Sequence, residues 1–284
     1  MIEKACVYIL NDNQIYHGMF SVSLRMLRRK NPDIPVVLFY VRDANADSWH
    51  KNTLAIGAAF DKQLVSDHML FGERAILDLC RRESVRVEMV DKLPYATQNF
   101  VSIQRCVFDR CGVGEALLLD VDTFVFGDVG QLFGRSPSCE VLASPMVGVF
   151  GNQGVTTQNI IFSYMVGGGV VKRLVKPANS GVVLFRRNLI REYGSVVKQY
   201  CDLLMCKKHP MSHMMYTMRP DGRSREEFSF NLYLLESGKN FCFFENSDVS
   251  TYDHSPGSVV FHSSSASYPS NFSIFCRAGN LVPN

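Results

Sequence analysis

The stretch Glu115-Ala-Leu-Leu-Leu-Asp-Val-Asp-Thr-Phe-Val-Phe-Gly127 decides the fold, because a short apolar run ends within it at two carboxylates. The run that closes at Leu119 is too short for a helix and predicts a buried strand. Asp120 and Asp122 then stand at the carboxyl end of that strand. Ligands of open α/β sheets bind at this edge, and carboxylate oxygens suit Mg²⁺ or Mn²⁺. The stretch therefore predicts a binding site for a divalent cation, which in turn holds a diphosphate.

The segments on both sides of this strand alternate between apolar runs of strand length and amphipathic runs of helix length. Upstream, the sequence predicts strands at 4–10, 36–40 and 85–90 and helices at 18–30, 44–56, 73–82 and 98–111. Downstream, it predicts strands at 141–143, 179–185, 241–244 and 258–261, helices at 188–206 and 225–236, and a loop at 147–171. This order is typical of an α/β fold with a doubly wound, mostly parallel central sheet.

The composition is that of an ordinary globular protein and excludes some classes of function. Of the 284 residues, 46% are hydrophobic and 20% are charged, which is enough for a sizeable core. The net charge of +3 is too small to indicate a nucleic-acid partner. No apolar run approaches the ~20 residues of a membrane span. We therefore expect neither nucleic-acid binding nor a membrane-spanning segment.

The cysteines favour a reducing compartment. Their number is nine, which is odd, and no two of them have Cys-x-x-Cys spacing, so neither a zinc site nor a disulfide framework is predicted. The start Met-Ile-Glu-Lys passes almost at once into a strand and leaves no room for a signal peptide. We expect nine free thiols and a cytoplasmic location.

A third candidate metal ligand stands at another strand end. The apolar run 258–261 stops at His262. A histidine in such a place is more often a structural residue than a ligand, and the residues alone leave both possibilities open. Two carboxylates and one imidazole form a donor set that favours Mn²⁺ or Mg²⁺ over Zn²⁺.

Segments along nearly the whole chain resemble the nucleotide-sugar glycosyltransferases that include glycogenin and related bacterial galactosyl- and glucosyltransferases. They are Tyr16 with Ser23-Leu24-Arg25, Leu119-Asp-Val-Asp-Thr-Phe-Val125, Asn179-Ser-Gly-Val-Val-Leu184, Glu226-Glu-Phe-Ser-Phe-Asn231 and His262-Ser-Ser-Ser-Ala-Ser-Tyr-Pro269. The resemblance implies a GT-A fold in one domain, 1–284, with a Rossmann-like half at 1–125 that binds the nucleotide sugar and an acceptor-binding half at 126–284. It also implies transfer of a sugar from a UDP-sugar to a hydroxyl of a glycan or protein-linked sugar, with retained configuration.

The resemblance assigns roles to particular side chains. The metal ligands would be Asp120, Asp122 and His262, and the catalytic groups near the sugar would be Glu226, Glu227 and Asn179. Contacts to the donor nucleotide would come from Asn11, Tyr16, Arg105, Asp120, Val121 and Tyr268. Tyr268 replaces the family's lysine and Ser265 replaces its glycine. Tyr268 can donate a hydrogen bond to the leaving diphosphate but brings no positive charge, so the metal and Arg105 would carry more of that charge.

Several alternatives stay open. Glu226 or Glu227 would act as general base if the enzyme inverts configuration, but either can equally be a favourable charge at a helix N-terminus. The Met-rich segment 205–218 is an acceptor-side loop, a partner contact or loose core packing. The alternative functions are those of a nucleotidyltransferase, a catalytically weakened binding module, or a haloacid-dehalogenase-type phosphatase, although Phe124 stands where such phosphatases usually have Thr or Val.

Overall fold

The computed structural model describes residues 2–12, 14–42, 70, 72–91, 112–145, 178–186, 199–200, 202–208, 212, 225–236, 240–251 and 257–263. Within these ranges the strands are β1 (Ile2–Asn11), β2 (Val36–Arg42), β3 (Arg86–Asp91), β4 (Val113–Leu119), β5 (Thr123–Val125), β6 (Val141–Pro145), β7 (Ala178–Arg186), β8 (Phe241–Phe243), β9 (Val249–Thr251) and β10 (Val260–His262). The helices are α1 (Gln14–Lys30), α2 (Glu73–Arg82), α3 (Gly130–Phe133) and α4 (Arg225–Glu236).

Most predicted elements that fall in the described residues are confirmed within a few residues of their ends. The helices predicted at 73–82 and 225–236 have these bounds in the structure, whereas α1 begins four residues before its predicted start at 18. The helices predicted at 44–56 and 98–111 and the loop at 147–171 lie outside the described residues. Of the helix predicted at 188–206, only 199–200 and 202–206 are described; 199–200 and 202–205 are helical, and residue 206 is in a turn.

The central sheet has seven strands in the order β3-β2-β1-β4-β7-β6-β8. The pairs β3–β2, β2–β1, β1–β4 and β6–β8 are parallel, and β7 is antiparallel to both of its neighbours. This confirms the mixed α/β class and the mostly parallel sheet. From β1 the chain builds β2 and β3 on one side, and it then crosses back to form β4 on the other side of β1. A crevice therefore opens beyond the carboxyl ends of β1 and β4.

A second, small sheet with the order β5-β10-β9 stands beside the end of β4. In it His262 pairs with Thr123 across the antiparallel β5–β10 ladder. The backbone N–H of Ser263 donates to the carbonyl of Asp122 at 3.0 Å. The sequence predicts neither β5 nor β9, since each has three residues and shows no usable periodicity. This sheet brings the last strand against the turn after β4.

Helix α1 is buried along most of its length and packs into the main core. Its predicted apolar face, formed by Phe20, Leu24 and Leu27, is fully buried. His17, Ser21 and Ser23 of the same helix are also buried, which the sequence does not predict. Buried polar side chains are kept only where they make hydrogen bonds, and the bonds of His17 and Ser23 lead to the site described below.

One cysteine pair departs from the prediction. Cys139, just before β6, is bonded to Cys242 in the neighbouring strand β8, with the Cα atoms 6.0 Å apart. This Cα separation is in the ordinary range for a disulfide. The expectation of nine free thiols is wrong for these two. Because disulfides persist mainly in oxidising compartments, the bond is evidence against the cytoplasmic location, which stays a prediction.

Among the helices in the described part of the chain, none has both the length and the apolar character needed to cross a membrane.

Candidate active site at the carboxyl edge of the sheet

Two strand ends bring the three predicted metal ligands together. Asp120 follows β4 directly, Asp122 lies in the turn into β5, and His262 ends β10. Nε2 of His262 lies 3.1 Å from Oδ1 of Asp122 and 3.6 Å from Oδ2 of Asp120. One ligand atom from each residue lies within 4.8 Å of the other two. The structure thus gathers these side chains at one point, and their role as ligands stays a prediction.

The donor set fits a divalent cation of the magnesium or manganese type. Adjacent ligands of an octahedral ion with bonds of about 2.1 Å lie about 3 Å apart, and the His262–Asp122 distance of 3.1 Å matches this. Two carboxylates so close together also repel each other unless a positive charge stands between them. The side chains of His262 and Asp122 are only 4% and 16% exposed, so they are held in place. Asp120, His262 and Asp122 can therefore hold such an ion.

The electrostatics of Asp120 reflect this crowding. Burial raises the pKa of its carboxyl group, the neighbouring Asp122 carboxylate raises it further, and His262 opposes both. Since 45% of the Asp120 side chain remains accessible, the contribution of burial is limited and the repulsion by Asp122 is a sufficient cause of the shift. A bound cation would offset that repulsion and lower the pKa of Asp120, so its carboxylate would be charged in the metal-bound site.

A chain of buried hydroxyl groups fixes the backbone at Asp120. The hydroxyl of Thr123 donates to the carbonyl of Asp120 at 2.8 Å, so its oxygen accepts from Ser23, 3.1 Å away. The Ser23 oxygen in turn accepts from the hydroxyl of Tyr8 at 2.9 Å. Tyr8, Ser23 and Thr123 are fully buried, and burial raises the pKa of Tyr8 far above its ordinary value. These hydrogen bonds therefore join β1 and α1, through neutral groups, to the turn that carries Asp120 and Asp122.

Gly181 in β7 touches two of the three candidate ligands. Its carbonyl accepts a hydrogen bond of 2.8 Å from the backbone N–H of Asp120. Its α-carbon faces the imidazole of His262 so closely that a Cβ there would lie 2.5 Å from Nε2 and 2.6 Å from Nδ1. The N–H of Gly181 donates to Oδ1 of Asn179 at 2.8 Å. The site therefore needs a residue without a side chain at this position.

The predicted catalytic residue Asn179 is 4% exposed. It is connected to the candidate ligands through Gly181, which donates to Asn179 and accepts from Asp120. Glu226 and Glu227 belong to the first turn of α4, and their side chains lie outside what the structure describes. Helix α4 is fastened to the start of β7 by Asn231, whose amide oxygen accepts from the N–H of Ala178 at 2.7 Å and whose amide nitrogen donates to its carbonyl at 2.8 Å. This anchor directs the helix against the strand that carries Asn179.

Of the residues predicted to contact the nucleotide, those that the structure describes lie around the ends of β1 and β4. Asn11 ends β1, and its buried Oδ1 accepts no hydrogen bond from any described residue. Tyr16 lies in the first turn of α1 and packs partly buried against the core. Val121, between the two aspartates, is 9% exposed and belongs to the core. Arg105 and Tyr268 lie outside the described residues.

A second buried hydrogen-bond chain ends at Asp12, the residue after β1. The N–H of Gly72 points to Nδ1 of His17 at 3.0 Å, and Nε2 of His17 lies 3.0 Å from the hydroxyl of Tyr40. That hydroxyl donates to Oδ1 of Asp12 at 3.1 Å. His17 is 1% exposed, and burial lowers its pKa to about 4, although Asp12 opposes this. The imidazole is therefore neutral at pH 7.

Sequence reasoning missed Gly181, Thr123, His17 and Tyr40 as members of the site. A glycine inside a strand does indicate close approach of another group, so the sequence offers a signal for Gly181. The polar residues of α1 that interrupt its apolar face were a weaker indication. No pattern in the sequence connects Ser23 with Thr123, which are 100 residues apart.

Comparison with known proteins places this architecture. No protein-family model matches the chain, and no curated protein sequence matches it. Among solved structures, mouse xyloside xylosyltransferase 1 in its apo form matches with a TM-score of 0.51 and 12% identity, over 94% of this chain and 99% of that one. The apo structure of the bifunctional glycosyltransferase WbbM matches with a TM-score of 0.52 and 10% identity, over 99% of this chain and 50% of that one.

The fold is that of the GT-A glycosyltransferases. At 10–12% identity this likeness concerns the fold, and function must be argued from the site. Within a GT-A fold, Asp120 and Asp122 occupy the carboxyl end of a central strand and His262 reaches them from the small second sheet. The family resemblance seen in the sequence is thus confirmed at the level of architecture.

Proposed function

We propose that the chain is a metal-dependent glycosyltransferase that moves a sugar from a UDP-sugar to a hydroxyl group of a glycan or of a protein-linked sugar, with retained configuration. The observation that carries the proposal is the cluster of Asp120, Asp122 and His262 at the carboxyl edge of a GT-A sheet. This edge is the ordinary place for a phosphorylated ligand in an open α/β sheet.

The residues of the chain divide the work on the donor. Asp120, Asp122 and His262 would hold Mn²⁺ or Mg²⁺, which supplies Lewis acidity and positive charge to the departing diphosphate. Asn11 offers a buried acceptor at the end of β1, and Tyr16 lies beside it in the first turn of α1. These two residues suit the nucleoside, at the side of the crevice away from the metal cluster.

The sugar would lie towards β7 and α4. Asn179 would stand beneath the sugar, and Glu226 and Glu227 would face it from the start of α4. In a retaining transfer these polar groups steady the sugar without abstracting a proton. In an inverting transfer one glutamate would deprotonate the acceptor hydroxyl. Tyr268 and Arg105 would contact the leaving diphosphate.

Two other functions stay as alternatives. A nucleotidyltransferase would use the same edge of the sheet and the same metal ligands, but it would consume a nucleoside triphosphate and release pyrophosphate. A binding module would retain nucleotide without turning it over. The sequence predicts a cytoplasmic location, and the Cys139–Cys242 disulfide counts against it; the thiol count described in the Discussion distinguishes the two.

The experiment is incubation with Mn²⁺ and a panel of nucleotide sugars, with release of nucleoside diphosphate as the readout. Asp122→Asn removes one candidate ligand charge, and Asp128→Asn makes the same change on an exposed residue six positions later. We expect the wild type and Asp128→Asn to release diphosphate alike, and Asp122→Asn to lose at least about 100-fold. Full activity in Asp122→Asn would refute the metal site, and pyrophosphate release from nucleoside triphosphates would favour the nucleotidyltransferase.

A further inference from the structure

His262 lies between two threonines in the small sheet. In the antiparallel β5–β10 pair it is level with Thr123, and in the parallel β10–β9 pair it is level with Thr251. Residues that are level on neighbouring strands direct their side chains to the same face of a sheet, and the strands themselves lie about 5 Å apart. The imidazole of His262 therefore has a threonine side chain on each side.

The two threonine hydroxyl groups differ in what they already bind. The hydroxyl of Thr123 donates to the carbonyl of Asp120 and accepts from Ser23. Thr251 is 8% exposed, and its buried Oγ1 makes no hydrogen bond with any residue that the structure describes. A buried hydroxyl without a partner lowers stability. Valine has nearly the same shape and would fill this place without that cost, so the hydroxyl of Thr251 indicates a role beyond packing.

The orientation of the imidazole decides which neighbour each ring nitrogen faces. Nε2 of His262 lies 3.1 Å from Oδ1 of Asp122, and Asp122 directly precedes β5. The bonding directions of the two ring nitrogens point to roughly opposite sides of an imidazole. Because Nε2 is directed to the β5 side of His262, the buried Nδ1 is directed to the β9 side. Thr251 lies on that side.

A metal ion at Nε2 imposes a requirement on Nδ1. The metal takes the lone pair of Nε2, so the proton of the neutral ring must lie on Nδ1. Metal-binding histidines almost always donate this second N–H to an oxygen, and that hydrogen bond fixes the tautomer and the orientation of the ring. A threonine hydroxyl can accept such a bond, and rotation about its Cα–Cβ bond alone is enough to turn its oxygen towards the neighbouring strand.

We infer that Thr251 is a positioning residue for the metal site: its hydroxyl accepts the Nδ1–H of His262 when a divalent cation binds, and it thereby holds Nε2 towards the two carboxylates. The inference rests on the proposed function, because it assumes a divalent cation at the three candidate ligands. Thr251 acts through the ring of His262 and does not bind the cation itself.

The test is Mn²⁺ binding to the intact protein, measured by electron paramagnetic resonance of the free ion. Thr251→Val removes the hydroxyl and keeps the shape of the side chain. It should weaken Mn²⁺ binding by about 10–100-fold, the range for a lost partner of a metal-binding histidine. Thr251→Ser keeps the hydroxyl and should bind Mn²⁺ nearly as tightly as wild type.

Stability separates this role from a structural one. Because the hydroxyl of Thr251 has no partner among the described residues, valine should not lower the free energy of unfolding measured with a chelator present. Ser250→Ala is the matched control in the same strand. The hydroxyl of Ser250 is bonded to that of Ser258 at 2.9 Å, on the opposite face of the sheet from Thr251. Its removal should lower stability and leave Mn²⁺ binding unchanged.

The proton on Nδ1 gives a direct spectroscopic signature. With Mg²⁺ bound, the Nδ1–H resonance of His262 is identified in ¹⁵N-edited NMR by its absence in His262→Gln. It should be at the same position in wild type and Thr251→Ser. In Thr251→Val it should move upfield or disappear through exchange with water, because its acceptor is gone.

The outcomes separate the inference from the proposed function. If wild type binds Mn²⁺ and Thr251→Val binds it equally well or keeps the resonance unchanged, the role of Thr251 is overturned while the metal site stands. The same holds if Thr251→Ser is as weak as Thr251→Val, if Ser250→Ala weakens binding as much, or if Thr251→Val loses much of its stability. If wild type does not bind Mn²⁺, the inference and the proposed function are overturned together.

Discussion

Replacing Gly181 by alanine should disable the metal site while leaving the protein folded. The added Cβ would lie 2.5 Å from Nε2 of His262 and closer still to Cε1 of the same ring, whereas a comfortable contact needs about 3.5 Å, so one partner must move by more than about 1 Å. The backbone of Gly181 is held by hydrogen bonds from Asp120 and to Asn179. The imidazole must therefore move, and metal coordination tolerates only about 0.2 Å.

The expected magnitudes follow from this displacement. Losing the alignment of one of three protein ligands should weaken Mn²⁺ binding by about 100-fold, the upper part of the range for disturbed metal-site support. Overpacking in β7 should cost about 1–3 kcal/mol of unfolding free energy. Mn²⁺ binding is measured from the spectrum of the free ion in electron paramagnetic resonance, and stability from urea unfolding.

Two controls make the prediction specific. Gly127→Ala adds a Cβ that meets Val259 at 3.4 Å, an ordinary contact, and should leave Mn²⁺ binding unchanged. In the double variant with His262→Ala, the alanine at 181 should add nothing to the loss caused by His262→Ala alone, because it acts through that ring. Wild-type Mn²⁺ affinity in Gly181→Ala, or a further loss in the double variant, would refute the reasoning.

Three further predictions concern other parts of the molecule. Thr123→Val should lower the free energy of unfolding by about 1–3 kcal/mol, because it removes the hydroxyl between Ser23 and Asp120. It should also weaken Mn²⁺ binding in the same spin-resonance titration. An unchanged affinity would show that the turn at Asp120 keeps its conformation without this hydroxyl. Because the pKa of His17 is lowered to about 4 from an ordinary 6.5, its contribution to stability is present above pH 6.5 and is lost as the pH falls towards 4. Between pH 7 and 5 this amounts to about 2 kcal/mol, and urea unfolding of His17→Gln should show a correspondingly flatter pH dependence than wild type. Thiol counting under denaturing conditions should gain at least two thiols on reduction, and Cys139→Ser should lower the unfolding free energy by about 2–4 kcal/mol; nine thiols before reduction would restore the expectation of a reducing compartment.

The elements that sequence predicts well are those whose local pattern is long enough to be read. The apolar run before Asp120 and the run before His262 each end at a polar residue, so both strand ends and their candidate ligands follow from the sequence. The meeting of the two ends does not, because it depends on β5, a strand of three residues that pairs with β10, about half of the chain's length away.

Other features depend on contacts between distant segments. Cys139 and Cys242 are 103 residues apart, and an odd number of cysteines gives no reason to select this pair. Tyr40 reads as one more buried strand residue, and only the fold brings its hydroxyl to Asp12. Sequence patterns report burial and periodicity, but they carry no information about which buried polar groups meet.

The two buried hydrogen-bond chains have a common origin in α1, and this explains why that helix carries polar residues in a core position. Ser23 supports the turn that presents Asp120, and His17 supports the acceptor at Asp12. An apolar helix would pack as well and fold with less polar burial, but neither end of the crevice would then be fixed. Apart from Asp12, at which the second chain ends, the side chains of both chains are neutral at pH 7, so their alignment does not depend on charge. The stability that α1 gives up by burying these groups is therefore exchanged for two strand ends, at Asp120 and at Asp12, whose hydrogen bonds are already in place.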